Sequence, residues 1–313
     1  MKFTRKDSVE ESPDAILTSD WHIREDTPEC RVDDFFATQT RKLNWLHELQ
    51  EKYNCPVFNG GDMFDHWKPS PHLIRWTMGL IPKDVWTVPG QHDLAQHSME
   101  LFDKSGLSVL LESDYVHIPF DGGWTNMSMD VCVDCRSWNG KASTPRKGEA
   151  VRNVLLTHEF VWLEKPNIPK ILGRPVKTVT DEYGDMGYDL VVSGDNHKSF
   201  EYLNERNGCC LVNPGCLMRQ SATEIDYQPR VALWYASTNT VKWIPVPIEI
   251  GAVTRQHLET AEQREDRIDA FVTRMQKDFE VELSFEKNME SYLATNRTHP
   301  EEIKLINECM ERV

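Results

Sequence analysis

At 313 residues the chain is long enough for one large α/β domain with an appendage, or for two domains. Apolar residues at 39% and charged residues at 27% are ordinary globular levels, which excludes wholesale disorder. The formal net charge of −15 argues against a protein that holds nucleic acid by a broad basic surface. It does not exclude a nuclease, because bound divalent metals, a local basic rim or a partner can supply the positive field. The opening Met1-Lys2-Phe3-Thr4-Arg5-Lys6 runs into acids with no apolar h-region, and no apolar run is long enough to cross a bilayer, so a soluble, unexported chain is expected.

The eight cysteines are scattered. Without a secretion signal, reduced thiols are expected rather than a disulfide framework. Cys132 and Cys135 form a single C-x-x-C, short of the four ligands of structural zinc, and the alternation with Val131 and Val133 reads as a strand with buried cysteines.

Residues 1–13 are a polar lead. Ala15 to Ser19 reads as the first strand, followed directly by Asp20-Trp21-His22. Asp33 to Tyr53 has helical spacing of Phe36, Leu43, Leu46 and Leu49. Pro56 to Asn59 is the second strand, passing through Gly60-Gly61 to Asp62. A short helix over Pro69 to Leu80 and a strand over Val85 to Val88 follow, the latter running into Gly90-Gln91-His92-Asp93. Strands alternating with helices predict βαβ units and a largely parallel sheet. Tyr115 to Asn139 switches to short alternating runs, predicting hairpins or an antiparallel edge. Val154 to Thr157 restores a buried strand that ends at His158, and Lys165 to Gly187 reads as a long surface loop over the site. Leu190 to Ser193 leads to Gly194-Asp195-Asn196-His197. Three more strands are expected at Cys209 to Asn213, Val231 to Ala236 and Val241 to Val246. A boundary is placed near Gly251, giving a domain over 14–250 and a small segment over 251–313. That segment holds a helix marked by Ile268, Phe271, Val272 and Met275, a strand-like alternation of Val281, Leu283 and Phe285, and a last helix opened by Pro300.

Five buried-strand candidates thus end in residues able to bind metal: Asp20 and His22, Asp62, Gln91 and His92, His158, and Asp195 with His197. In an open α/β sheet such loops gather outside the carboxyl ends of the strands, so the five should converge. A carboxylate at the end of a buried strand needs a cation or donors to compensate it, which marks Asp62 as the centre of a metal site.

The ordered set Asp20-x-His22, Gly61-Asp62-x-x-Asp65, Gly90-Gln91-His92-Asp93, His158 and Gly194-Asp195-x-His197 resembles the pattern of the calcineurin-like metallophosphoesterase superfamily over Ala15 to Ile250. The resemblance implies an α/β, four-layer sandwich of two mixed β-sheets flanked by helices, with the C-terminal segment as a small helical appendage. It implies two divalent ions, one held by Asp20, His22, Asp62 and His197 and the other by Asp62, Gln91, His158 and Asp195, with Asp62 bridging. Two such cations can clamp a phosphate and acidify a bridging water. His92 would stabilise the phosphate or protonate the leaving oxygen, with Asp93 orienting it, and Asp65 would order the loop or a neighbouring ligand. Gln91 and Asp195 depart from the family's Asn and His. They make the second site harder and more anionic, which favours Mn²⁺ or Mg²⁺ there, while Fe²⁺ and Zn²⁺ also suit mixed nitrogen and oxygen ligands.

Within the superfamily, Gly61-Asp62-Met63-Phe64-Asp65 with Pro69, and Asn213-Pro214-Gly215 running on to Arg219, resemble the SbcD-like DNA repair and recombination exonucleases, closest to compact phage-type relatives. That implies a Mn²⁺-dependent phosphodiesterase acting on DNA as exonuclease or single-strand endonuclease, in the cytoplasm of a bacterial cell or phage-infected host. It implies an SbcC-like coiled-coil ATPase as partner, with 251–313 as cap or docking segment, and leaves a homodimer open. Trp67 could stack on a base or ribose, or pack under the next helix. Arg219 could touch a phosphate or pair on the surface. A small-substrate phosphodiesterase or phosphoprotein phosphatase, and a degenerate scaffold, are the competing readings.

Overall fold

Ala15–Thr18 is a four-residue apolar strand (β1) whose side chains alternate between two cores, Ile16 to one side and Ala15 and Leu17 to the other. That alternation places β1 in the middle of a layered structure. A computed structural model describes residues 12–119, 124–128, 130–141, 144–145, 152–163, 177–178, 186–283, 285–296 and 298–310. After β1 come helix α1 (Phe35–Tyr53), β2 (Val57–Asn59), α2 (Pro71–Met78), β3 (Val85–Thr87), α3 (Gly106–Glu112) and β4 (Val116–His117). The second half adds β5 (Trp124–Asn126), β6 (Val131–Arg136), β7 (Arg152–Thr157), β8 (Val161–Trp162), β9 (Lys177–Thr178) and β10 (Leu190–Ser193). It closes with β11 (Phe200–Leu203), β12 (Cys210–Asn213), β13 (Arg230–Tyr235) and β14 (Thr240–Pro245).

The strands form two mixed six-stranded sheets, ordered β14-β13-β1-β2-β3-β4 and β11-β12-β10-β7-β6-β5. β1 to β4 are mutually parallel, as are β6, β7, β10 and β12, while the antiparallel pairs sit toward the edges. Leu17, Phe58 and Trp234 of the first sheet share one core with Val133, Leu156 and Val192 of the second. On the other face of the first sheet, Ile16, Val57 and Val85 pack with Phe35, Leu43 and Leu46 of α1, Leu73 of α2 and Leu110 of α3. Leu155, Val191 and Leu211 carry a smaller cluster on the far face of the second sheet. This is the expected α/β arrangement of two mixed sheets flanked by helices.

Local chemistry explains the helix ends. Asp34 caps α1 by accepting from the Ala37 N–H, and Asn54 closes it in the left-handed conformation. Ser70 caps α2 ahead of Pro71. Cys132 and Cys135 are buried on β6. Residues 1–11 of the polar lead and most of the loop expected over 165–187 lie outside the described residues, although Lys177–Thr178 pairs parallel with Val161–Trp162. α3 and β11 are elements that the pattern reading does not anticipate.

The chain divides into two compact units at Thr254 and Arg255. The second holds helices α4 (Gln256–Leu283), α5 (Phe285–Thr295) and α6 (Pro300–Met310). The strand-like alternation expected at Val281, Leu283 and Phe285 is instead the end of one helix and the start of the next. Positions 281 and 285 are also four apart, a spacing that serves a helix equally well, and Glu282 and Leu283 between them are good helix formers. Among the described residues no helix is long and apolar enough to cross a membrane.

Candidate metal centre

Each parallel strand hands its chain to a loop at the same end of the sheets, and four of the suspected ligands lie in those loops with positive φ. Asp20 is at 49°, His22 at 43°, Asp62 at 50° and Asp195 at 67°. Left-handed backbone costs a non-glycine residue on the order of 1–3 kcal/mol and persists only where surrounding structure imposes it. Here the loops impose it on one another. Asp20 N–H donates to the Gly61 carbonyl and His22 N–H to the Asp62 carbonyl, both at 3.0 Å, while Leu217 N–H donates to the Asp20 carbonyl at 3.2 Å. Two glycines permit the approach. A Cβ on Gly90 would fall 2.1 Å from Asp62 Oδ1, and one on Gly61, itself at φ 103°, would fall 2.4 Å from His158 Nδ1.

The result is a buried cluster around Asp62, which is 0% exposed. Asp62 Oδ2 lies 3.2 Å from His158 Nε2 and 3.6 Å from His22 Nε2. Asp20 Oδ1 lies 3.9 Å from both His22 Nε2 and His197 Nε2. In each imidazole the other nitrogen faces an oxygen, within hydrogen-bonding geometry for His158 and His197 and as a longer ion-pair contact for His22. His158 Nδ1 is 2.7 Å from the Gly60 carbonyl, His197 Nδ1 is 2.9 Å from Glu224 Oε1, and His22 Nδ1 is 3.4 Å from Asp65 Oδ1. With Nδ1 as donor, the Nε2 lone pair of each neutral ring turns toward carboxylate oxygen. Buried atoms of the cluster without a hydrogen-bond partner include both nitrogens of His22, His158 Nε2, Asp62 Oδ2 and Gln91 Oε1. Acceptors facing acceptors at this range repel unless a cation lies among them, so the donor set fits divalent metal.

The electrostatics say the same in the language of protons. Burial lowers His158, but the charge and contact of Asp62 outweigh it and push the imidazole up to about 10. Burial likewise lowers His22, and Asp65, Asp62 and Asp20 push it up to about 9. Burial raises Asp62, yet His158 and His22 hold it well below the usual carboxylate range. The cluster retains protons strongly wherever it lacks another cation.

The structure brings all seven suspected ligands to this end of the sheets. Gln91 Nε2 donates to Asp195 Oδ1 at 2.9 Å, which leaves its amide oxygen directed elsewhere, and the Asp195 N–H donates to Asp20 Oδ1 at 3.1 Å. The two residues that depart from the family pattern therefore contact each other. His92 joins the cluster through its backbone N–H, which donates to Asp62 Oδ1 at 2.9 Å, and its ring stands edge-on to His22 with centroids 4.8 Å apart.

Asp93 does not orient His92. Its carboxylate accepts the backbone N–H groups of Met63, Phe64 and Gly90 at 3.1–3.2 Å, fastening the Asp62 loop to the Gly90 loop. The His92 ring is held instead by the Asp65 carbonyl, 2.8 Å from Nδ1. Adjacency in sequence misleads here because the chain turns between positions 92 and 93. Burial, then the charge of Asp62, push the Asp93 carboxyl up to about 7 against the pull of its N–H donors.

Arg219 is also placed away from the phosphate role considered for it. It is buried, and its terminal nitrogens donate to the carbonyls of Ile225 and Glu249 at 3.0 and 2.8 Å. Trp67 is half-buried, its ring 5.5 Å from that of His66 and its carbonyl accepting from Gly106 N–H. Two supporting residues escape the motif reading. Glu224 orients His197 with one oxygen and accepts from the Gln220 and Ser221 N–H groups with the other. Ser221-x-x-Glu224 is a capping box and could have been found as one. Asn213 donates to the carbonyls of Asn196 and Lys198, bracing the Asp195 to His197 loop from β12.

No family model and no curated protein matches the chain. Among solved structures it is similar to the sulfate thiohydrolase SoxB of Thermus thermophilus in complex with glycerol, at 11% identity and a TM-score of 0.41. That likeness covers 75% of this chain and 57% of the SoxB chain, so this chain spans little more than half of that protein. It is also similar to a metallophosphoesterase from Sphaerobacter thermophilus, at 12% identity and a TM-score of 0.36, covering 79% of this chain and 94% of that one. Likeness at these scores carries no chemistry, which rests on the residues of the site.

Proposed function

We propose that the chain is a divalent-metal-dependent phosphodiesterase of the calcineurin-like type, acting on DNA. The observation that carries the metal-dependent part is the set of unpartnered buried atoms that meet one another, His22 Nε2 and His158 Nε2 with Asp62 Oδ2. Asp20, His22, Asp62 and His197 would hold one ion, and Asp62, Gln91, His158 and Asp195 the other. When bound, such ions offset phosphate charge and let water react as hydroxide near neutral pH. The amide oxygen of Gln91 and the carboxylate of Asp195 favour the harder Mn²⁺ or Mg²⁺ in the second position.

The remaining work falls to the protein's own groups. Asp65, Gly60 and Glu224 fix the three imidazoles so that Nε2 of each faces inward. His92 is anchored through Nδ1, which leaves Nε2 to hold a proton against the leaving oxygen. DNA as substrate, an SbcC-like ATPase as partner and a cytoplasmic setting follow from the motif resemblance alone.

One assay separates the readings. The protein is incubated with Mn²⁺ and labelled linear duplex, single-stranded circles, a phosphomonoester or bis-p-nitrophenyl phosphate, beside an Asp62→Asn control. Loss of DNA in the wild type only is the expected result. Hydrolysis confined to small esters would replace DNA with a small substrate, and no activity on any would remove the enzyme reading.

A further inference from the structure

The segment after His158 carries two aromatic side chains that the proposed chemistry leaves unused. Val161 is fully buried among Leu155, Val191 and Leu211 on the far face of the second sheet. Neighbours of an inward residue in extended chain point the other way. Phe160 and Trp162 do so together, with ring planes 7° apart and centroids 6.3 Å apart. Both are half-buried, and neither belongs to an apolar cluster or packs against one among the described residues.

Their place is set by the metal centre. Phe160 follows His158 by two residues, a reach of at most about 7 Å between Cα atoms. Asn196, which sits between Asp195 and His197, donates its side-chain N–H to the Val161 carbonyl at 2.9 Å. The aromatic pair is therefore fastened to two of the loops that supply suspected ligands.

A net charge of −15 argues against a broad basic face with which to hold a polyanion. Stacking of bases on aromatic rings is indifferent to that charge and is worth about 5- to 150-fold in affinity per base. Resting on the phosphodiesterase reading, we propose that Phe160 and Trp162 form a stacking shelf for an unpaired nucleobase beside the scissile phosphodiester. Bases in duplex are already stacked and cannot lie on it, so the substrate that reaches the centre is single-stranded nucleic acid or a frayed end.

The test is a binding measurement. Full-length protein in EDTA, where turnover is suppressed, is titrated by fluorescence anisotropy into two end-labelled single strands of equal length and charge, one of thymidylate and one abasic. The wild type is expected to favour the thymidylate strand ~10-fold, within the range for a stacked base. The ratio should survive a rise from about 0.1 M to about 0.3 M salt, because stacking releases no counterions. Phe160→Leu with Trp162→Leu, which keeps apolar volume, should bring the ratio to ~1, and Trp162→Phe should retain most of it. No preference in the wild type, or an unchanged preference in the leucine pair, would overturn the shelf. Failure of the phosphodiesterase reading is seen separately, as absence of Mn²⁺-dependent hydrolysis of bis-p-nitrophenyl phosphate by the wild type.

Discussion

His158 Nε2 lies 3.2 Å from Asp62 Oδ2 while its Nδ1 is taken by the Gly60 carbonyl. A neutral ring in that position presents a lone pair to a lone pair, so the contact is favourable only with a proton or a metal ion between the two. Asp62 meets His22 in the same way at 3.6 Å, which makes one carboxylate oxygen the meeting point of two imidazoles.

Asp62→Asn is therefore expected to reduce kcat/KM by ~10³-fold or more, corresponding to several kcal/mol of charge stabilisation, and to weaken both ions in calorimetric titration. Asp65→Asn keeps an acceptor for His22 Nδ1 and should bind both ions almost normally. Asp65→Leu removes that acceptor and should cost about 10- to 100-fold in affinity for one ion. Equal metal loss in Asp62→Asn and Asp65→Asn would contradict this division.

Glu224 allows a similar comparison far from Asp65 in sequence. Glu224→Gln can still accept from His197, whereas Glu224→Ala frees the ring and removes the cap at Ser221. The alanine variant should bind metal about 10- to 100-fold more weakly and lose ~1 kcal/mol of stability in denaturant melts. If alanine and glutamine variants bind metal alike, the hydrogen bond to His197 is not what positions the ring.

For Asp93 the prediction concerns folding. Asp93→Ala leaves three buried backbone N–H groups without an acceptor and should destabilise by ~3 kcal/mol or more. Measured in urea, the loss should be present with and without Mn²⁺. A variant of normal stability whose only defect is a shifted pH profile would restore Asp93 to the role of orienting His92.

Metal-free protein should respond to pH with a defined sign. His22 and His158 are raised to about 9 and about 10 in the folded state, above the unfolded value of about 6.5. Their contribution to stability is fully present below pH ~6.5 and is lost as pH rises through about 9 and 10. The melting temperature in EDTA should fall across that window. Saturating Mn²⁺, which takes the place of the protons, should flatten the fall, and titration near pH 8 in buffers of differing ionisation enthalpy should show proton release. A melting temperature in EDTA that rises from pH 7 to 10 would contradict the assigned environment of the two rings.

Much of this site is legible in one dimension because its ligands stand at the ends of short buried strands. An apolar run such as Val57-Phe58 names the strand, and the residues after it must emerge at its carboxyl end. The tail shows the opposite case, where Val281, Leu283 and Phe285 satisfy two periods at once and only the folded helices choose.

The sequence by itself determined which loops carry ligand types, since apolar runs name the strands and their alternation with helices makes the strands parallel, with their carboxyl-end loops on one side. The tertiary structure alone decided the hydrogen-bond partners of those ligands. Asp93 faces three N–H groups, two of them some thirty residues away, rather than its neighbour, and Glu224 reaches His197 across 27 residues. Arg219 turns to backbone carbonyls, and Phe160 and Trp162 turn away from the core. The physical reason is that these partners come from segments distant in sequence, and the left-handed backbone at Asp20, His22, Asp62 and Asp195 exists only because the loops hold one another in it.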